Sequence, residues 1–123
     1  ENVPVGLSYK HIHDWVINND FFKKTINIDG ANFCSPEYLI MLKLRRNYCR
    51  ISEGKKLMGK DYMDIISLFA SKNEINLDEI KDLININISD NVNKLKEIIL
   101  PLKKYIKQAK ESELKVNKLI EFF

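Results

Sequence analysis

Hydrophobic and polar positions repeat with two different periods along this chain of 123 residues. Over residues 7–17, LSYKHIHDWVI, the period is two. Tyr9, His11, His13 and Trp15 fall on one face; Ser8, Lys10, Ile12, Asp14 and Val16 fall on the other, which predicts a strand. Residues 18–24 predict a short helix, with Asn18 or Asn19 as its cap and Phe21 and Phe22 as its anchors. In TINIDGANF the Asp29-Gly30 pair stands between two short apolar runs and predicts a small hairpin.

From residue 35 onward the period becomes helical. SPEYLIMLKL opens a helix running to about Tyr48 or slightly beyond. Ser35 is suited to cap it, Pro36 to its first position, and Glu37 to the positive end of its dipole. Residues 38–42 are apolar without a break, so this helix should be buried on most faces. Lys43 lies one turn beyond Leu39 and Ile40 on the same face. A cation there must snorkel to water, pair with an acid, or hold an anion. RISEGKKLMGK carries two glycines and several charges and predicts a loop or a frayed helix end. KDYMDIISLFASKN predicts a helix with Tyr62, Ile65, Ile66 and Phe69 as its apolar stripe and Asn73 as its stop. NLDEIKDLI predicts a short helix capped by Asn76, with Leu77, Ile80, Leu83 and Ile84 on one face.

The last third predicts an amphipathic extension over 89–123, packed on the same domain as 1–88 and capped by Ser89 or Asp90. Val92, Leu95, Ile99, Leu102, Ile106 and Ala109 step by three and four, and Val116, Ile120 and Phe123 continue the series past Glu113. Pro101 sits inside the stripe and should kink the helix or divide it in two. The stripe has two readings: a surface packed along the domain, or a seam for a homodimer or a partner chain through 92–123. The fold class expected from this pattern is α+β and mostly helical, with the N-terminal strand and small hairpin beside a helical bundle.

Composition narrows the function only slightly. The net charge of +3 makes no strong case for nucleic-acid or membrane binding by bulk electrostatics. Cys34 and Cys49 form no CxxC motif and too small a set for a disulfide framework, which favours reduced thiols and a cytoplasmic location. No apolar run approaches the roughly 20 residues of a membrane span. His11 and His13 point the same way on a strand, as metal ligands can, but no third ligand stands near them in sequence, and packing is the preferred reading. Arg45, Arg46, Arg50, Lys55, Lys56 and Lys60 make a local basic cluster, either a solvated loop or a surface that steers a triphosphate or RNA. The carboxy-terminal lysines read as a wet helix face. Asp61 and Asp64 share a face in the first turn of their helix, where negative charge is favoured. An acid there and Lys43 on the preceding helix could form a structural salt bridge, or an acid-oriented cation for phosphate.

SPEYLIMLKL, followed after a loop by KDYMDIISLF, resembles the later half of minimal nucleotidyltransferase-fold proteins, the toxin-type and antibiotic-type nucleotidyltransferases. The resemblance covers roughly residues 9–84. It implies that Lys43 contacts a nucleoside triphosphate, that Asp61 supports that lysine, and that Asp64 is the inner, structural acid. It also assigns Asp14, in HIHDWV, as the third catalytic carboxylate, activating the acceptor hydroxyl or holding Mg2+. Asp14, Lys43 and Asp61 are thus the catalytic candidates and Lys43, Arg46 and Lys60 the nucleotide-binding ones. The acceptor would be RNA or a protein. Nucleotidyl transfer uses two divalent ions clamped between carboxylates.

The Gly-Ser turn and Asp-x-Asp or Asp-x-Glu pair of that family should precede Asp14, yet ENVPVGLSYKHIH holds no such pair and no Asp-x-Asp occurs in the chain. The chain alone is therefore not expected to transfer nucleotides. The preferred expectation is that the chain, which opens at Glu1, lacks an N-terminal half; the others are that another chain supplies the acids, or that this is a binding-only relative. A non-catalytic helical interaction or dimerisation module, with Lys43 tied up in a salt bridge, is the alternative from another class.

Overall fold

The computed structural model describes residues 25–28, 31–71 and 74–123 of the chain. The predicted strand over 7–17, with His11, His13 and Asp14, and the predicted helix over 18–24 lie outside these residues. Among the described residues the protein is mostly helical. Strands β1 (Thr25–Ile28) and β2 (Ala31–Cys34) pair antiparallel, with Thr25 opposite Cys34 and Ile28 opposite Ala31. No helix among the described residues is long and apolar enough to cross a membrane.

Helix α1 (Pro36–Ser52) is the centre of the helical body and packs against α2 (Gly59–Ser71), α3 (Leu77–Asn87) and α4 (Val92–Ile99). Its start follows the sequence expectation: Ser35 Oγ accepts from the Tyr38 N–H at 3.3 Å and Pro36 occupies the first turn. Tyr38, Ile40, Met41, Leu42 and Leu44 are buried on several sides, as the unbroken apolar run demands. Each such side chain contributes about 1.5–3 kcal/mol by leaving water.

The end of α1 is a defined motif rather than a frayed turn. Gly54 adopts φ +75°, the left-handed region open to glycine at no steric cost. Its N–H donates to the Ile51 carbonyl at 3.1 Å, and the Lys55 N–H donates to the Arg50 carbonyl at 2.8 Å, the pair of bonds that defines a Schellman ending. This ending reverses the chain and returns residues 55–58 along α1, so that α2 begins beside the middle of α1.

Helix α2 buries Tyr62, Ile65, Ile66 and Phe69, the predicted stripe. Asn76 caps α3 by accepting from the Glu79 N–H at 3.0 Å, and Ile80, Leu83 and Ile84 face the core. Helix α3 runs to Asn87, further than the apolar spacing alone indicated.

The last third is not one long helix. Asn91, rather than Ser89 or Asp90, caps α4: its Oδ1 accepts from the N–H groups of Asn93 and Lys94 at 3.1 and 3.3 Å. Ser89 instead accepts from the Asn91 N–H and so positions the cap. Pro101 has no N–H to continue the α-helical ladder. From Leu100 the chain winds as a 3-10 helix to Gln108, makes a short 3-10 turn over Lys110–Ser112, and ends in α5 (Glu113–Glu121). In a 3-10 helix side chains three apart eclipse. Ile99, Leu102 and Tyr105 follow that spacing, Ile99 and Leu102 being buried and Tyr105 stacking on Tyr62 at 5.9 Å between ring centroids and 7° between planes. The Tyr62 hydroxyl donates to the Ile98 carbonyl at 2.6 Å. Leu95, Ile99, Leu102 and Val116 from the predicted stripe, joined by Ile98 and Leu119, belong to the same core as α1 and α2. Lys115 on α5 donates to the Phe69 carbonyl at 2.8 Å and so satisfies the C-terminal end of α2.

Candidate functional site

Lys43 sits in the third turn of α1, and Asp61 and Asp64 in the first two turns of α2. The Schellman reversal brings the two helices together at this point. Lys43 Nζ lies 3.0 Å from Asp64 Oδ2, to which it donates, and 3.6 Å from Asp61 Oδ1. Arg46, one turn further along α1, places Nε 3.4 Å from Asp61 Oδ2. Its Nη2 also contacts the Met58 sulfur, a weak acceptor. Two cations and two carboxylates thus form one neutral cluster across the α1–α2 seam.

The two carboxylates stand in opposite environments. The Asp61 side chain is 3% exposed and the Asp64 side chain 41%. Asp61 is therefore the inner acid and Asp64 the outer one, a correction to the assignment that the family resemblance implied. The reason is helical geometry: Asp61 directs its carboxylate at α1 across the seam, whereas Asp64, three residues on, lies one turn nearer the rim. Burial pushes the Asp61 carboxyl above its usual range, and neighbouring Asp64 adds to this; Arg46 and Lys43 pull it back without cancelling the effect. Both cations are largely covered, Lys43 15% and Arg46 12% exposed at the side chain.

Asn47 completes the cluster and was not among the sequence candidates. It is buried, and its Nδ2 donates to Asp61 Oδ2 at 3.3 Å and to the Lys43 carbonyl at 3.1 Å. Its Oδ1 accepts from the Met58 N–H at 2.6 Å, which ties the returning loop to α1. The only signal was spacing: Asn47 lies four residues beyond Lys43, on the same face of α1.

The remaining basic candidates do not form one surface. Arg45 donates to the Asn87 carbonyl at 3.4 Å, at the end of α3, and Arg50 to the Lys56 carbonyl at 2.7 Å. Lys55 lies 3.9 Å from Glu53, both exposed. Lys60 is exposed and takes no part in the Lys43–Asp61 cluster. Cys49 is free and half-buried, and burial raises its thiol pKa, which lowers the thiolate fraction and its reactivity. A separate groove of about 420 Å3 is lined by Lys103, Ile106, Lys107, Lys110, Glu113 and Asn117 and shares no residue with the cluster.

The described residues do not by themselves fit Mg2+. No three His, Cys, Asp or Glu side chains among them come together as a ligand set. Asp61 and Asp64 turn their oxygens to Lys43 and Arg46. Asp14, the residue assigned to the metal, lies outside the described residues. What the cluster can do unaided is hold one ammonium group between the half-exposed Asp64 carboxylate at 3.0 Å and the buried Asp61 carboxylate at 3.6 Å.

The chain matches no protein-family model, no curated protein and no solved structure.

Proposed function

We propose that the chain is the later portion of a nucleotidyltransferase-like domain and that Lys43 holds phosphate oxygens of a nucleoside triphosphate. The observation that carries this reading is the meeting of Lys43 and Asp61, 18 positions apart in sequence, at 3.6 Å, beside an Asp64 side chain that is 41% exposed. Lys43 follows the unbroken apolar run of α1 and meets a buried acid there. Asp61, Asn47 and Arg46 act as positioning residues: the carboxylate sets the direction of Nζ, the amide fixes the carboxylate, and the guanidinium balances its charge. Lys60, exposed at the start of α2, remains available to a longer anion. Metal ions in such transfer stabilise the attacking and leaving oxygens. In this reading Asp14 and the preceding polypeptide or a partner chain supply the acids for them, and RNA or a protein supplies the acceptor hydroxyl.

The experiment is thermal unfolding of the chain with each of the four nucleoside triphosphates, with and without Mg2+. At a ligand concentration about tenfold above Kd, binding stabilises by about 1.4 kcal/mol, a rise of roughly 4–8 °C for a domain of this size. The rise should vanish in Lys43→Ala. If no nucleotide raises the midpoint, or Lys43→Ala leaves the rise intact, the reading fails.

The charge neutrality of the cluster favours one competing reading, a non-catalytic helical interaction module in which Lys43 is only a salt-bridge partner. Most of the stripe over 92–123 packs inward, so a partner seam there would have to use what is left outside, above all Leu114 at 83% exposed. Sedimentation of the chain and of Leu114→Asp distinguishes this reading: a mass that falls on substitution, with no nucleotide response, supports it.

A further inference from the structure

Lys43 has two acidic neighbours, and they are not equivalent. Asp61 is closed in: Arg46 and Asn47 hold one oxygen, Lys43 approaches the other at 3.6 Å, and the side chain is buried. Asp64 is nearer to the ammonium, at 3.0 Å, yet two-fifths exposed, and among the described residues it accepts a hydrogen bond from Lys43 and forms an ion pair with it. Rotation about its side-chain torsions takes the Asp64 carboxylate into water without opening the core. Rotation of Asp61 would leave Asn47 and Arg46 without their acceptor in a buried place.

Charge counting gives the consequence. Lys43 and Arg46 carry two positive charges, and Asp61 and Asp64 two negative ones. With Asp64 in place the cluster is neutral and an arriving anion meets a carboxylate already seated on Nζ. With Asp64 swung away the cluster has one uncompensated positive charge at its rim. An ammonium has three donors, and a phosphate oxygen can take the one that Asp64 gives up.

We infer that Asp64 is a displaceable counter-anion of Lys43: it occupies the place on Nζ that a ligand phosphate oxygen takes, so binding is an exchange of one anion for another and Asp64 sets its affinity. The inference rests on the reading of Lys43 as a phosphate-holding cation. It assigns Asp64 a role opposite in sign to that of Asp61, although the two share a helix face. The ligand class is a polyphosphate, whether free or the triphosphate of a nucleotide.

The test is calorimetric titration of the full chain with inorganic tripolyphosphate and, separately, with ATP. A half-exposed ion pair at the rim has a modest strength, so Asp64→Asn should lower Kd by about two- to fivefold for both ligands. Adding Lys43→Ala to Asp64→Asn should abolish the gain. Asp78→Asn, which removes an equal charge from an exposed position on α3, should leave Kd unchanged. Three results overturn the inference while leaving the reading of Lys43 standing: parent binding that depends on Lys43 but is unchanged or weakened in Asp64→Asn; an equal gain in Asp78→Asn, which would make the effect one of net charge; or a gain for ATP alone. If the parent chain and Asp64→Asn both bind neither ligand, the inference and the reading of Lys43 fall together.

Discussion

Replacing Asn47 by alanine tests whether the α1–α2 seam is held by the amide or merely accommodates it. The substitution removes three bonds. The Met58 N–H loses its acceptor at 2.6 Å, the buried Asp61 carboxylate loses a donor at 3.3 Å, and the Lys43 carbonyl loses a second donor at 3.1 Å. The first is an ordinary hydrogen bond, about 1 kcal/mol, and the second, to a charged group, is about 1.5–3 kcal/mol. The third is small, since that carbonyl keeps its place in the helix. Alanine returns up to about 0.7 kcal/mol through its better helix propensity. The expected net loss is about 2–3 kcal/mol, a large part of the roughly 5–15 kcal/mol that stabilises a domain. Urea unfolding followed by far-UV circular dichroism at neutral pH reads this as a midpoint lower by roughly 1–3 M, with the slope unchanged. Asn47→Leu separates the two contributions, because leucine fills the volume and restores no bond. If Asn47→Leu is as stable as the parent, or Asn47→Ala loses less than about 0.5 kcal/mol, the hydrogen bonds do not hold the seam and the reasoning fails.

The other predictions concern the same seam and its surroundings. The Asp61 carboxyl is raised in the folded state, so the folded chain binds the extra proton just above the ordinary value of 3.8; stability is fully present below that value and falls as pH rises through the folded pKa. Equilibrium unfolding between about pH 3.5 and 7 should show this slope, and Asp61→Asn should flatten it; an unchanged slope would show that other groups carry it. Tyr62→Phe removes the bond to the Ile98 carbonyl and should cost about 1 kcal/mol. Burial raises the Tyr62 phenol pKa, so the parent should also lose stability above about pH 10 more steeply than Tyr62→Phe, as pH-dependent thermal melts would detect. Lys115→Met keeps the stem and removes the donor to the Phe69 carbonyl; a loss of about 0.5–1 kcal/mol in chemical denaturation is expected, and none if water replaces the ammonium.

The local signals in the chain were sufficient for local structure. Ser35-Pro36 and Asn76 mark the starts of α1 and α3 because capping is a contact within four residues, and the Tyr62, Ile65, Ile66 and Phe69 stripe marks the core face of α2 because helical spacing puts those side chains on one side. The burial of α1 on most faces followed from its unbroken apolar run, and with it the question of what satisfies Lys43. Tertiary structure supplied what depends on how neighbouring segments meet. Ser89, Asp90 and Asn91 are each competent caps, and only the path of the chain into α4 selects Asn91. A stripe of threes and fours reads as one helix; the donor lost at Pro101 and the packing against α2 resolve it into α4, a 3-10 segment and α5. Asp61 and Asp64 are the same residue type on the same face, and only the depth of the α1–α2 seam makes one buried and the other half-exposed. That depth follows from a left-handed glycine at position 54, whose reversal of the chain sets Met58 on Asn47 and Asp61 between Lys43 and Arg46. Periodicity records which way a side chain points from its own helix, and it carries no information on how far the next helix stands.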